Sequence, residues 1–509
     1  MDSLVLKSFI PEFFLTFFIL SQLIFNVRLT NNLQHNFPVL SKETFSHTFF
    51  ALACTFLLLV DLKIHGYFFG FLMFNNDSTL LIKKILIITA LLSLAPIYRS
   101  YCSQALSFFE FFTLFLLLVL ALFAFISSFD LMSIYLTLEM QALCLYTFAC
   151  FKRNSSSSSE AGLKYFISGS FISCLFLFGS SLIYGALGTL NLNELTLLFT
   201  FSFINEFKNL EPILLLGAFL ITISLFFKTA AAPFHFWLPD VYDGAPLSSS
   251  ILFIILPKIV IFSFLIKWTL VLSNLFFQLQ DLFLFSGVLS LVVGTFFAFK
   301  QKRLKRLVIY SSVAQIGFLI IPLYENSLES ISAIFFFIFI YTLTSVLIWC
   351  LFSLLYDSEL KRNKFYFDSR QTVTLFLSAL SNLFKTNVVW SVLTLLALFS
   401  VGGIPPFVGF LSKVFVIVSL LNSGMLIVPA VVVIISAASV FYYVRAIKTL
   451  FFETSSKRSV LVSFLKNSYL LNLECFLIIF ISFLLVFFFF RPGLLLLIAQ
   501  YFSLCLLNV

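Results

Sequence analysis

Charged side chains are scarce in this chain, at 10% of 509 residues, too few to clothe a soluble globular surface. Cysteine occurs eight times but never as a CxxC pair. Cys54, Cys102, Cys144, Cys150, Cys174, Cys350, Cys475 and Cys505 fall almost entirely inside apolar stretches, so they read as small core residues, which excludes an iron–sulfur or zinc site. Neither a G-x-G-x-x-G fingerprint nor a haem-ligating histidine pair is present. A cleavable-signal pattern is also missing. Met1 to Phe25 opens with an acidic residue and runs into an apolar stretch containing Pro11 and Glu12, so no targeting peptide is expected.

Apolar residues are abundant instead, at 61%, with a mean hydropathy of +1.10. Runs near the roughly 20 residues that a membrane helix needs recur along nearly the whole length. They lack the alternation of a barrel strand, so an all-α polytopic bundle is expected, with no room for a sizeable soluble domain. Phenylalanine reaches 74 residues, with clusters such as Phe487 to Phe490. No packing rule asks for so many, and codon bias in a T-rich organellar genome accounts for them. The net charge of +9 sits mostly in short loops, where the positive-inside rule explains it better than a nucleic-acid partner does.

Apolar runs between polar breaks give about fourteen spans: 9–27, 46–64, 80–98, 105–126, 129–149, 161–185, 211–238, 245–271, 281–299, 304–323, 329–356, 389–421, 426–450 and 473–501. The last carries a candidate split at Arg491-Pro492-Gly493, and Asp61 to Asp77 is ambiguous. The expected organisation is an N-terminal helical unit (1–104), a first repeat (105–272), a second repeat (281–450) with a linker at 357–388, and a C-terminal helix (451–509). The linker is long and charged, suited to a helix along the membrane surface or to touching a neighbour. Ser155 to Ser159 reads as a flexible turn.

Loop charge tests the count. Basic residues follow the odd-numbered spans: Lys152-Arg153, then the cluster from Lys300 to Arg306, then Lys361, Arg362, Lys364 and Arg370, then Lys457-Arg458. The loop after the seventh, with Asp240 and Asp243, is an exception. From the fourth span onward, acids dominate after the even-numbered ones, including Glu194, Asp281 and Glu325. The alternation places the odd loops on the matrix or cytoplasmic side and both termini opposite.

Against this background four ionisable residues stand out, because a charge deep in a span costs several kcal/mol unless it has a partner or a task. Glu139 lies nine residues past Asp130, roughly 13 Å along a helix. Lys228, Lys258 and Lys413 each have several apolar neighbours on both sides. The alternative for any single lysine is snorkelling to a headgroup, which suits Lys83, Lys84, Arg445 and Lys448 near span ends.

Two of the lysines sit beside helix breakers. Lys228 precedes TAAAPFHFWLP, containing Pro233, His235 and Pro239, and Lys413 follows Gly402-Gly403-Ile404-Pro405-Pro406. Proline removes a backbone hydrogen bond and clashes with the preceding turn, so both spans are expected to break at mid-depth. Broken helices in lipid must face protein or a water-filled cavity, and paired breaks point to an ion site. The broken spans are the seventh and twelfth, five apart. Spans 4–8 and 9–13 then form two five-helix repeats, inverted because five is odd.

Dry surroundings disfavour an ammonium, so a lysine there can release and regain a proton near neutral pH, whereas a nearby carboxylate holds it charged. Moving Glu139 relative to Lys228 would switch Lys228 between loaded and unloaded states. Lys258 would relay between half-channels and Lys413 would be the exit or entry group. His235 is a candidate relay, with capping or packing at the break as its equal alternative.

Three stretches, SIYLTLEMQALCLYTFACFKRN with EAGLKYF, FFKTAAAPFHFWLPDVYDGAPLSSS and SVGGIPPFVGFLSKVFV, supported by KRLVIYSSVAQIGFLI, resemble the antiporter-like membrane subunits of respiratory complex I, NADH:ubiquinone oxidoreductase. The similarity runs roughly from Phe111 to Leu450. Met140-Gln141 after Glu139, and lysine rather than glutamate at position 413, place it nearer the subunit 2 branch than subunits 4 and 5. The resemblance implies that Glu139, Lys228, Lys258 and Lys413 match the proton-path positions. It also implies no cofactor on this chain, with NADH, FMN, iron–sulfur clusters and ubiquinone on partner subunits. Implied partners are subunit 4, subunit 4L and lipids such as cardiolipin, in the mitochondrial inner membrane with basic loops toward the matrix. A subunit of a multi-subunit sodium/proton antiporter, sharing the fold, is the second reading, and a structural subunit whose buried charges only hold helices together is the third.

Overall fold

The computed structural model describes residues 7–30, 37–62, 66–68, 72–104, 106, 109–201, 211–272, 277–363, 376–381, 384, 387–453 and 469–507. Each expected span is a helix or a helix pair. Spans 1 to 6 are Ile10–Thr30, Phe37–Asp61, Asp77–Ser103, Glu110–Ser127, Leu131–Ala149 and Ser156–Leu187. Span 7 divides into 7a (Glu211–Thr229) and 7b (Trp237–Gly244); span 8 is Leu247–Leu272 and span 9 is Phe277–Phe299. Span 10 is Leu304–Ile320 extended by the 3-10 turn Ile321–Tyr324, and span 11 is Leu328–Asn363. Span 12 divides into 12a (Val388–Gly402) and 12b (Val408–Asn422); span 13 is Ile427–Phe451, and span 14 divides into 14a (Tyr469–Phe490) and 14b (Gly493–Leu507). Among the described residues, twelve helices are long and apolar enough to cross a membrane, thirteen if the pair in span 14 is one crossing. The 15-residue halves of span 12 are each too short to cross a membrane alone.

Several local expectations change. Asp61 to Asp77 holds a short antiparallel hairpin, Gly66–Phe68 with Met73–Asn75, rather than a span. The serine run is not a free turn: Ser156 to Ser159 form the first turn of span 6, and Ser158 Oγ donates to Ala149 O at 2.7 Å. Serine suits a helix start because its hydroxyl can meet backbone groups left unpaired there. The linker begins as helix, since span 11 continues through Asp357 to Asn363, and it ends near a 3-10 turn at Leu377–Leu380. The surface-helix expectation for its centre lies outside the described residues. At the C-terminal end the chain bends by 83° between 14a and 14b, at the candidate split Arg491-Pro492-Gly493. The proline at 492 supplies the break.

Contacts between loops sort by parity. On one face, Arg303 and Arg306 pair with Asp243 at 2.9 and 2.7 Å, and Lys164 meets Asp240 at 3.3 Å. On the same face, Arg445 Nη1 donates to Phe299 O at 2.7 Å, and Arg303 bridges to Phe376. All of these residues border loops that follow odd-numbered spans. The acids at 240 and 243, an exception by charge alone, are therefore the counter-ions of neighbouring basic loops. On the opposite face, Met73 bridges to Ser128, Asp130 bridges to Asn191, and Asn326 Nδ2 donates to Thr269 O at 3.1 Å. A missed span would mix the two sets.

Burial follows from the lipid solvent. Phe17 and Ile427 are 72% and 80% exposed, as apolar residues facing hydrocarbon can be. Span 8 is enclosed, buried along its whole apolar window, and packs against spans 3, 4, 7a and 11. Lipid tails are as apolar as leucine, so helices associate by close packing. Spans 6 and 7a do so through Gly179 and Gly217, where a Cβ on either would lie 2.8–2.9 Å from the other's carbonyl oxygen.

Candidate functional site

The helix breaks position two of the lysines. Span 7a ends at Thr229, four residues before Pro233, the residue whose carbonyl the proline ring would strike. Ala230 turns left-handed at φ 63°, and the chain re-enters helix at Trp237. Trp237 closes the break by donating Nε1 to Phe227 O at 3.2 Å while its ring stacks on Tyr165 at 4.8 Å. Lys228 thus occupies the last turn of 7a, where partial negative charge suits a cation. With 19 residues before it, this break lies further along span 7 than mid-depth; the break in span 12, between two 15-residue halves, is central.

At the second break Lys413 reaches back from 12b, and its Nζ donates to Gly402 O at 2.6 Å, capping the exposed carbonyl end of 12a. Gly403 makes this possible. Its φ is 76°, and a Cβ there would meet the Lys413 side chain at 2.8–2.9 Å. The ammonium also lies 5.2 Å from the Phe318 ring centroid.

Lys258 is 4% exposed on the enclosed span 8. Its Nζ donates to the Tyr341 hydroxyl of span 11 at 2.8 Å, and no carboxylate lies within ion-pair distance among the described residues. Glu139, half-buried on span 5, has its Oε1 buried without a hydrogen-bond partner. It lies within electrostatic reach of Lys228, yet the two form no direct ion pair, and Lys228 makes no hydrogen bond among the described residues. The structure therefore brings Glu139 and Lys228 together and joins neither to Lys258 or Lys413 by a direct bond. His235 is buried in the first break, with Nδ1 unpartnered and its ring 6.1 Å from Phe297.

Two charged clusters were not foreseen. Lys83, expected to snorkel, is fully buried, and its Nζ donates to Glu12 at 2.5 Å and to Asn75 at 2.6 Å. Arg445 likewise turns inward, to the carbonyls of Phe299 and Gln301. Arg99 joins three separate helices by pairing with Asp357 at 2.6 Å on span 11 and with Glu474 on 14a. The signal in the sequence was an acid in an apolar run, Glu12 in span 1 and Glu474 in span 14, each needing a partner elsewhere.

The NADH:quinone oxidoreductase/Mrp antiporter transmembrane family matches residues 128–441, a stretch holding all five candidate residues. The NADH-ubiquinone oxidoreductase chain 2 of Marchantia polymorpha is 31% identical over 501 residues, 97% of this chain and 98% of its own length. The NADH-quinone oxidoreductase subunit N of Pelagibacter ubique is 31% identical over 456 residues, covering 88% and 90%. Among solved structures, a chain of respiratory complex I from Thermus thermophilus superposes with a TM-score of 0.75 at 24% identity, covering 96% of this chain and 98% of that one. A chain of the Mrp complex from Dietzia sp. gives 0.78 at 16%, covering 98% and 97%. At these identities the superpositions establish the fold.

Proposed function

Since this chain belongs to the NADH:quinone oxidoreductase/Mrp antiporter transmembrane family, we propose that it is a proton-translocating membrane subunit of respiratory complex I, of the subunit 2 type. The observation that carries the proposal is Lys258, a lysine enclosed in span 8 whose one hydrogen-bond partner among the described residues is a neutral hydroxyl. A charge retained at that cost, without a counter-ion to explain it as a structural bridge, is suited to gaining and losing a proton.

In this reading Glu139 and Lys228 form the loading end. An approach of the carboxylate holds the Lys228 ammonium, and its withdrawal releases the proton. Lys258 takes the proton at the centre and Lys413 passes it on from the second break. His235, with an unpartnered nitrogen beside the first break, is a relay near Lys228. The breaks lie in spans 7 and 12, which supports inverted repeats of spans 4–8 and 9–13 whose half-channels open to opposite faces. The face carrying the basic loops is the matrix side of the mitochondrial inner membrane. Redox work belongs to partner chains, which hold NADH, FMN, iron–sulfur clusters and ubiquinone. Subunits 4 and 4L are membrane-arm neighbours, and cardiolipin fills the lipid boundary.

The second reading, a sodium/proton antiporter subunit, has the superposition on the Mrp chain in its favour. Isolation of the native assembly separates the two. The chain is expected to co-purify with NADH:ubiquinone reductase activity; co-purification with sodium/proton exchange and no NADH oxidation would favour the antiporter.

A further inference from the structure

Span 8 carries a proline in its interior, Pro257, immediately before Lys258. Proline has no N–H to donate to the carbonyl four residues earlier, and its ring pushes that carbonyl away from the helix axis. The carbonyl so orphaned is Phe253 O, and it accepts instead from the Tyr242 hydroxyl of 7b at 3.1 Å. The next carbonyl along, Ile254 O, accepts from the Tyr341 hydroxyl of span 11 at 3.5 Å, and Tyr341 Oη is the acceptor for Lys258 Nζ at 2.8 Å. Two other helices thus each place a tyrosine hydroxyl on the turn of span 8 that precedes Lys258. Tyr242, Tyr341, Phe253 and Ile254 are all buried, so these polar groups depend on one another rather than on bulk water.

The direction of these bonds bears on Lys258. A hydroxyl has one proton, and Tyr341 directs its own to Ile254 O, which leaves the oxygen's lone pairs to the lysine nitrogen. An acceptor so placed favours the ammonium over the amine, because a hydrogen bond from a charged donor is about twice as strong as one from a neutral donor. Lys258 Nζ also lies 5.0 Å from the Tyr341 ring centroid, a contact that favours the cation again. The titratable groups near this pair among the described residues are Tyr242 of 7b and Tyr443 of span 13, phenols that carry no charge at neutral pH.

We propose that Tyr341 and Tyr242 are positioning residues for Lys258. Tyr341 fixes the nitrogen and favours its protonated form, and Tyr242 holds the Pro257 turn that carries the lysine. The inference rests on the proton-path role proposed above for Lys258. It also ties the central lysine to 7b, the helix that follows the first break.

The test is NADH-driven proton translocation across a range of pH by the intact complex in sealed vesicles, normalised to assembled enzyme, with Lys258→Met measured in parallel. Tyr341→Phe keeps the ring and its contact with the cation and removes only the acceptor, so Lys258 holds its proton less tightly. Loading then fails at a lower pH than in the wild type. The alkaline limb of the profile is expected to move down by about one pH unit, with the rate below it retained. A packing defect would instead lower the rate at every pH and leave the limb in place. Tyr242→Phe strands Phe253 O and is expected to lower translocation by about tenfold through misplacement of the lysine. Adding Pro257→Ala returns an N–H to that carbonyl and is expected to restore the rate. The double variant gives the same answer if Tyr242→Phe alone does not assemble. With Lys258→Met inactive, an unmoved limb in Tyr341→Phe would overturn the role of Tyr341, and absence of rescue by Pro257→Ala would overturn that of Tyr242. Normal pumping by Lys258→Met would overturn the proton path on which both rest.

Discussion

Substituting Lys258 by methionine is expected to lower proton translocation by about 100-fold while the chain still assembles, the size of effect typical for loss of a positioned acid or base. Methionine keeps the length and most of the volume of the lysine stem. Replacement of a buried charge by an apolar group of similar shape is often neutral or stabilising, because the desolvation cost disappears with the charge. Here the ammonium gives up one hydrogen bond, to Tyr341. The freed hydroxyl still donates to Ile254 O at 3.5 Å, so the loss is about 1 kcal/mol. If buried charges merely hold helices together, the opposite pattern follows: poor assembly, with normal pumping by whatever complex forms. Comparing assembled complex on native gels with proton uptake per complex separates these outcomes.

The reverse pattern is expected at Arg99. Arg99→Ala should destabilise the subunit by about 3 kcal/mol or more, because it strands two carboxylates that the guanidinium now holds. Glu474 is only 3% exposed, and Asp357 Oδ1 already lacks a hydrogen-bond partner. The cluster fastens span 3, span 11 and helix 14a to one another, so its loss acts on three helices at once. Lysine at this position should restore only part of the stability, since a single ammonium cannot reproduce the forked geometry that meets two acids. Thermal inactivation of the purified complex and the yield of assembled enzyme check this. An Arg99→Ala complex with wild-type yield and heat resistance would show that the cluster is not a structural clasp.

Elements dictated by the local run of residues were legible in the sequence. Every span is a stretch of apolar residues long enough to cross lipid, and each appears as a helix or helix pair at nearly its expected limits. Loop parity was also legible, apart from Asp240 and Asp243, whose partners lie 60 to 76 residues away in sequence and bring their loop onto the basic face. Lys258 and Lys413 are buried as their apolar flanks implied. Tertiary pairing was not legible. Lys83 looked like a snorkelling residue near a span end, yet Glu12 meets it across 71 residues of sequence. Position within a span sets how far a lysine would have to reach for water, but not whether a neighbouring helix offers a carboxylate first. The depth of the first break was misjudged for a related reason. Proline ends the helix four residues upstream of itself, and the measured length of 7a then depends on where its other end begins.

The most direct measurement is NADH-driven proton translocation by the purified complex carrying Lys228→Ala, reconstituted into sealed vesicles and normalised to assembled enzyme. Lys228 lies in the last turn of a helix at the first break, near Glu139 and without a hydrogen bond of its own among the described residues, so little structure depends on it. If protons load there, translocation falls by about tenfold or more in an otherwise intact complex. If Lys228→Ala moves as many protons per NADH as the wild type, at the same rate, then Lys228 is not on the path.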